Sequence, residues 1–229
     1  MNRQKVVCTS IAAAILLAAL LAPGSTAQES DPKEPPAPKL AVKPGEPAPE
    51  FALPDHEGKV LKLSDFKGKV VVLEWFNPEC PFVTRSHTEG SLKGLAARWH
   101  KQGVVWLAIN SGAPGLQGHG IPKNRAAAAK WGMDHPILFD ESGAVGRKYG
   151  ALTTPHLFVI GKDGKLVYQG AIDSAAHRRR GAVDQVETYV EDVLTKLDQG
   201  DQIEVTYRRP YGCSVKYAPP PAPKDPPQD

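Results

Sequence analysis

One stretch of the sequence constrains the fold more than any other. It is an apolar run at residues 70–76 (VVVLEWF) that leads, four residues later, into Cys80 and Pro81. Continuous β-branched and aromatic runs of this length are typical of a strand buried on both faces. Proline suits the first position of a helix, because its missing N–H would have no helical partner there. The stretch therefore predicts a buried strand that leads into a helix, with Cys80 at the junction.

The rest of the chain shows strand and helix patterns in alternation. Residues 51–69 alternate apolar and polar positions around a His56-Glu57-Gly58 turn, which is typical of a β-hairpin. Further patterns predict strands at residues 104–110, 136–140, 156–160 and 166–172 and helices at 92–99, 122–131, 142–149 and 183–197. This order predicts an α/β fold in which helices flank a central mixed sheet, with an N-terminal β-hairpin.

The beginning of the chain has the pattern of an export signal. Arg3 and Lys5 are followed by an apolar stretch of 12 residues and then by small residues that end at Ala27. The stretch is too short for a bilayer span, which needs about 20 residues. We therefore expect an exported protein, periplasmic or secreted; the alternative is that the same residues stay as an uncleaved anchor.

Proline-rich segments flank the region that carries the strand and helix patterns. Frequent proline and charge are typical of solvated chain without a packed core. The expected organisation is a signal peptide at residues 1–27, a linker at 28–44, one domain at 45–217 and a disordered tail at 218–229.

Removal of the signal would change both the charge and the cysteine count. Loss of Arg3 and Lys5, with no acidic residue lost, lowers the formal net charge from +3 to +1. Such a small charge gives no electrostatic basis for binding nucleic acid or an anionic surface. Cys8 leaves with the signal, so Cys80 and Cys213 remain as a pair in an oxidising compartment, where two thiols can bond to each other.

The predicted position of Cys80 favours reactivity of its sulfur. At a helix N-terminus the sulfur meets backbone N–H groups that lack helical partners and the positive end of the helix dipole, and both stabilise the thiolate, which is the nucleophile. The carboxyl ends of strands are also where open α/β sheets place their sites. The alternative is a buried cysteine that acts only as a small apolar side chain.

Several motifs resemble those of the thioredoxin-fold redoxins, the group that contains peroxiredoxins and periplasmic thioredoxin-like proteins. Residues 45–76 resemble the entry segment of these proteins, and residues 152–173 resemble their second half, with Pro155 at the place of the cis-proline that faces the active cysteine. The motif NPECPFV at 77–83, together with YGCSVKY at 211–217, resembles a peroxiredoxin-like branch related to alkyl hydroperoxide reductase and thiol-specific antioxidant proteins. The resemblance implies a thioredoxin-like fold.

The sequence departs from the family motifs at three positions. Val83 stands where thioredoxins carry the second cysteine of their Cys-x-x-Cys pair. Asn77 and Leu73 stand where typical peroxiredoxins carry a threonine or serine and a proline. The Asn77 amide is the group we expect to hydrogen-bond a bound oxygen. Without a local partner for Cys80, Cys213 is the candidate resolving thiol; the alternatives are a static disulfide or a buried tail cysteine.

The resemblance thus implies an exported thiol oxidoreductase in which Cys80 attacks and Cys213 resolves. A cis bond between Thr154 and Pro155 would present the Thr154 backbone to the substrate. The expected partners are a disulfide-bearing protein or a small peroxide as substrate and an external thiol as electron donor. No cofactor is implied, and one cysteine in the loop is too few for a soft-metal site. The alternatives are a divergent thiol peroxidase with antioxidant activity and a non-catalytic binding module.

His87 is a further titratable residue near the cysteine in sequence. It follows Cys80 by seven positions, which on a continuous helix is about 10 Å along the axis and too far for direct proton transfer. We therefore expect His87 to be a partly buried structural residue.

Overall fold

A six-stranded mixed sheet forms the centre of the structure, a computed structural model that describes residues 40–175 and 186–219. Within these described residues the strands are β1 (Ala52–Pro54), β2 (Val60–Lys62), β3 (Val71–Trp75), β4 (Val105–Asn110), β5 (Ile137–Phe139), β6 (Thr153–Thr154), β7 (His156–Ile160), β8 (Leu166–Gly170), β9 (Tyr207–Arg208) and β10 (Cys213–Ser214). In the central sheet the order is β5-β4-β3-β7-β8-β9. Strands β3, β4 and β5 are parallel, and β7 runs antiparallel to both of its neighbours, β3 and β8.

Helices cover the sheet. They are α1 (Pro81–Thr88), α2 (Leu95–His100), α3 (Ile121–Trp131), α4 (Ala144–Tyr149) and α5 (Tyr189–Gln199), with a 3-10 helix at Leu63–Phe66. Strands β1 and β2 form the expected antiparallel hairpin. The predicted α/β class, with helices around a mixed sheet and an N-terminal hairpin, is therefore confirmed. No helix within residues 40–175 and 186–219 is long and apolar enough to cross a membrane.

Strand β3 has an apolar core on each side, because successive side chains point to opposite faces of a sheet. Leu73 and Trp75 pack into one core with residues of α4 and of the N-terminal hairpin. Val72 packs into the other core, which includes residues of α2 and α5. All five residues of β3 are buried, as the continuous apolar run predicts.

The element boundaries differ from the predicted ones where a side chain finds a distant partner. Ser91, at the predicted N-terminus of the second helix, instead donates its hydroxyl to Asp173 at 2.5 Å. Helix α2 begins only at Leu95, after Gly94 in a left-handed conformation with φ of 67°. The end of α3 is as predicted, since Gly132 has a left-handed φ of 64°.

The packed part of the chain extends beyond the expected domain start at Gly45. Val42 is only 3% exposed and belongs to the core that contains Leu73 and Trp75. Its carbonyl accepts a hydrogen bond of 2.6 Å from Nε2 of the buried Gln169. The predicted signal at 1–27, most of the predicted linker, residues 183–185 of the predicted last helix and residues 220–229 of the predicted tail lie outside the described residues.

Candidate active site

Cys80 lies at the junction of β3 and α1, as predicted. It is the N-cap residue of α1, with φ of −80° and ψ of 122°, and Pro81 is the first residue of the helix. The Cys80 N–H donates to the Asn77 carbonyl at 3.1 Å, and the Cys80 carbonyl accepts the N–H of Thr84 at 2.9 Å. These bonds fix the backbone on both sides of the sulfur. The residue is completely buried, with 0% exposure.

The Thr154–Pro155 peptide faces the sulfur. The bond is cis, as the resemblance implies. The Cys80 thiol donates a hydrogen bond of 3.0 Å to the carbonyl of Thr154. Thr154 is itself buried, with 2% exposure. The structure therefore brings together three of the predicted site residues: Cys80, Thr154 and Pro155.

Cys213 joins the same site from the C-terminal part of the chain. Strand β10 pairs antiparallel with β6, and in this register Cys213 lies opposite Thr154. Cys213 packs against the apolar cluster that contains Cys80, each thiol shifts the pKa of the other, and both cysteines are free thiols. Cys80 is fully buried, whereas Cys213 is partly exposed.

Gly212 permits this close approach. It has φ of 134°, a conformation that side chains disfavour. A Cβ atom built there would lie 2.1 Å from the Thr154 carbonyl oxygen, which is a severe overlap with backbone. The glycine in YGCSVKY therefore lets β10 lie directly on the cis-proline turn.

The environments of the two thiols shift their pKa values in opposite directions. Burial disfavours the Cys80 thiolate, but hydrogen bonds from the Thr154 side chain, the Val83 backbone and the Cys213 side chain outweigh this effect, so the pKa of Cys80 lies below its ordinary value. Burial and the hydrogen bond to Cys80 raise the pKa of Cys213 to about 11. Cys80 is thus the sulfur that ionises first.

Asn77 has a different place from the one expected for it. Its Oδ1 accepts the N–H of Glu79 at 2.9 Å, and its Nδ2 is 3.5 Å from the Gln117 carbonyl. Gly118 packs against the amide so closely that a Cβ there would lie 2.3 Å from Asn77 Oδ1. The amide is therefore engaged by the turn before Cys80 and by the neighbouring loop.

A pair of buried asparagines, whose role the sequence did not reveal, holds the neighbouring glycine-rich loop at residues 111–120. Asn110 Nδ2 donates to Asn124 Oδ1 at 2.8 Å and to the Gly118 carbonyl at 3.0 Å. Asn124 Nδ2 in turn donates to the carbonyls of Gly118 and Gly120. The available signal was a polar residue, Asn124, among the alanines of a predicted helix, but nothing in the sequence identified its partner.

His87 is buried on the side of α1 that faces the sheet. Its Nε2 lies 2.7 Å from Oε1 of Glu74, a fully buried carboxylate that also accepts the Trp106 Nε1–H at 3.1 Å. The His87 ring stacks on Trp131, with 5.3 Å between ring centroids. Burial favours a higher pKa for Glu74, but the contacts with His87 and Trp106 leave it below the ordinary value. These contacts assign His87 to the core, as expected.

The fold and the paired thiols define a thiol oxidoreductase with a thioredoxin-like fold. The family model named Redoxin matches residues 43–188, and the chain belongs to the Redoxin family. A thiol-disulfide oxidoreductase ResA from Geobacillus thermodenitrificans is 33% identical over 165 residues, which cover 72% of this chain and 86% of that protein.

Two solved structures share the architecture. An uncharacterized conserved protein from Geobacillus kaustophilus aligns with a TM-score of 0.70 and 28% identity, over 78% of this chain and 94% of that one. A hypothetical protein from Sinorhizobium meliloti aligns with a TM-score of 0.68 and 26% identity, over 77% of this chain and 96% of that one. These neighbours support the fold over most of the chain.

Proposed function

We propose that the protein is an exported thiol–disulfide oxidoreductase that reduces disulfides through Cys80 and Cys213. The Cys80 thiolate attacks one sulfur of the substrate disulfide, and the other substrate sulfur leaves as a thiol after taking up a proton. Cys213 then loses its proton and attacks the Cys80 sulfur of the mixed disulfide, which releases the second substrate thiol. Two electrons pass to the substrate, and the protein is left with a Cys80–Cys213 disulfide.

A single observation carries this proposal: Cys213 lies opposite Thr154, whose carbonyl accepts the hydrogen bond from Cys80. The pKa shifts support the order of the two steps, since the thiol with the lowered pKa attacks and the one with the raised pKa stays protonated until it is needed. The similarity to a thiol-disulfide oxidoreductase favours a disulfide as the substrate. An external thiol donor would reduce the Cys80–Cys213 disulfide again.

The structure offers less support for the peroxide reaction. A peroxidase site needs polar groups that hold the peroxide oxygens beside the sulfur. The Asn77 amide, which we expected to supply one, is engaged by Glu79 and the glycine-rich loop. Leu73, at the place of the peroxiredoxin proline, is a fully buried core residue. Thiol–disulfide exchange is therefore the reaction that the site favours.

Oxidation with a stoichiometric disulfide tests the proposal. The reduced chain, with Cys8 replaced by serine, is treated with one equivalent of oxidised glutathione and digested without reduction. We expect a linked pair of peptides that contain Cys80 and Cys213, and we expect dithiothreitol to separate them. If both cysteines remain individually alkylatable after oxidation, Cys213 is not the resolving thiol.

A further inference from the structure

The segment that carries Cys213 is fixed to the domain along its whole length. We call residues 211–217 the strap. Its Val215 N–H donates to the Leu152 carbonyl at 3.1 Å, and its Lys216 carbonyl accepts the Ala113 N–H at 2.8 Å. The Tyr217 hydroxyl donates to the Ala151 carbonyl at 2.9 Å. At the other end of the strap, Tyr211 is hydrogen-bonded to Asp173.

The strap covers the attacking sulfur. It contributes β10, the strand that pairs with β6, so the edge of the cis-proline turn is occupied by the chain's own C-terminal part. Cys80 and Thr154 are 0% and 2% exposed in this arrangement. A polypeptide therefore has no direct route to the Cys80 sulfur while the strap is in place.

The strap also has the geometry of a bound polypeptide. An extended peptide binds at a free strand edge through its backbone groups, while its side chains enter neighbouring pockets. The backbone of the strap pairs with β6, while its Val215 side chain packs into one apolar core and its Cys213 packs against the cluster that contains Cys80. A polypeptide in a mixed disulfide with Cys80 would likewise place a cysteine next to that sulfur, and its backbone would need the same edge.

Apolar side chains stand exposed beside this edge. Leu152, whose carbonyl holds the strap, is 53% exposed, and Phe82 in the first turn of α1 is 37% exposed. The Phe82 ring makes an edge-on contact with Tyr211 of the strap, with 6.0 Å between centroids. Release of the strap would uncover more of Phe82. An extended segment with apolar residues around its cysteine would then pack against Phe82 and Leu152.

We propose that the strap and a polypeptide substrate compete for the edge of β6. The substrate is an extended, apolar segment that carries a disulfide; it binds when the strap detaches and forms the mixed disulfide with Cys80. Return of the strap displaces the substrate backbone and at the same time brings Cys213 to the Cys80 sulfur, so resolution and product release are one event. This inference rests on the proposed thiol–disulfide exchange.

Two strap variants separate the steps of this cycle. Gly212→Ala places a Cβ against the Thr154 carbonyl and pushes the strap outwards. Tyr217→Phe removes only the hydroxyl that bonds to Ala151, which leaves the ring under Arg147 in place. Gly164→Ala is the matched control, since Gly164 also has a positive φ, of 78°, and a Cβ there meets no atom within 4 Å.

The measurement follows reduced protein by rapid mixing, with insulin as the polypeptide disulfide and hydroxyethyl disulfide as the small one. With insulin, we expect both strap variants to form the mixed disulfide faster and to resolve it more slowly. Each of these two rates should change roughly fivefold in Tyr217→Phe, which is the effect expected for the loss of one hydrogen bond. The change should be larger in Gly212→Ala. The small disulfide should show a weaker effect, and Gly164→Ala should behave as the wild type.

Two results would overturn the inference. One is that the strap variants both form and resolve the mixed disulfide with insulin more slowly than Gly164→Ala does. The other is that the ratio of the formation rate to the resolution rate with insulin is unchanged in the strap variants. If the proposed thiol–disulfide exchange itself is wrong, the result is different: neither insulin nor hydroxyethyl disulfide would then produce a Cys80–Cys213 disulfide in the wild type. If Gly212→Ala does not fold, Tyr217→Phe alone decides the outcome.

Discussion

At the scale of single residues, the surroundings of Cys80 stabilise its thiolate, whereas those of Cys213 destabilise its thiolate. Cys80 receives hydrogen bonds that favour its ionised form. At Cys213, burial and the interaction with the Cys80 sulfur, which ionises first, both raise the pKa. The pair therefore titrates as one coupled system, in which the first proton to leave comes from Cys80.

Thiolate absorbance as a function of pH checks this order. In the chain with Cys8 replaced by serine, we expect the first thiolate to form below the ordinary pKa of a cysteine and the second near pH 11. The thiolate that forms at the lower pH is that of Cys80. Cys213→Ser should therefore keep this first rise in thiolate absorbance, and Cys80→Ser should lose it. The assignment is wrong if the early thiolate persists in Cys80→Ser.

Asn77 stabilises the backbone turn that precedes Cys80. Because its Oδ1 holds the N–H of Glu79, we expect Asn77→Ala to lower the free energy of unfolding by about 1 kcal/mol. Asn77→Asp keeps the acceptor oxygen and should retain most of this stability. Urea unfolding of both variants checks the prediction, and equal stability of Asn77→Ala and wild type would contradict it.

At the scale of elements, β3 and α1 hold the site through a buried polar contact as well as through apolar packing. Glu74 on β3 and His87 on α1 are joined at 2.7 Å, and Trp106 on β4 donates to the same carboxylate. A buried carboxylate that loses its partner is strongly destabilising, because its desolvation is no longer offset.

His87→Ala should therefore lower the free energy of unfolding by about 3 to 5 kcal/mol. It should leave Cys80 able to form the disulfide with Cys213, because His87 lies on the core side of α1. His100→Ala is the control, since His100 is exposed on α2 and its loss should change stability by less than about 0.5 kcal/mol. Comparable stability of the two variants would show that the Glu74 contact contributes little.

Local signals predicted the elements well, and distant contacts explain what they missed. The apolar run of β3, Pro81 at the start of α1 and Gly132 at the end of α3 each act within a few residues, so the sequence reveals them. The helix predicted at 92–99 begins later than expected, and the hydroxyl of Ser91, which precedes it, is bonded to Asp173, 82 residues away. The contact between the Asn77 amide and the Gln117 carbonyl was not predicted for the same reason, since Gln117 lies 40 residues further on.

At the scale of the whole molecule, the site joins parts of the chain that only the fold brings together. Cys213 meets Thr154 across 59 residues, and Cys80 meets Thr154 across 74. The family motifs predicted that Cys80 and the cis-proline turn face each other. The register of β10 on β6 depends on Gly212 and on the anchors of the strap, and no motif of the sequence specified it.

Export is also a property of the whole molecule. We propose that residues 1–27 direct the chain out of the cytoplasm, on the basis of the signal pattern alone. N-terminal sequencing of the exported protein should then begin near Gln28. A sequence that still starts at Met1 would mean that the apolar stretch is retained.

The central claim is that Cys80 attacks and Cys213 resolves, and trapping of the mixed disulfide tests it most directly. Cys213→Ser and Cys80→Ser, each with Cys8 also replaced by serine, are reduced, mixed with excess hydroxyethyl disulfide at neutral pH and analysed by intact mass. We predict that Cys213→Ser rapidly gains one adduct, which maps to Cys80 and persists, whereas Cys80→Ser reacts more slowly, because burial still raises the pKa of Cys213 in that variant. Rapid adduct formation in Cys80→Ser, with little or none in Cys213→Ser, would contradict the account.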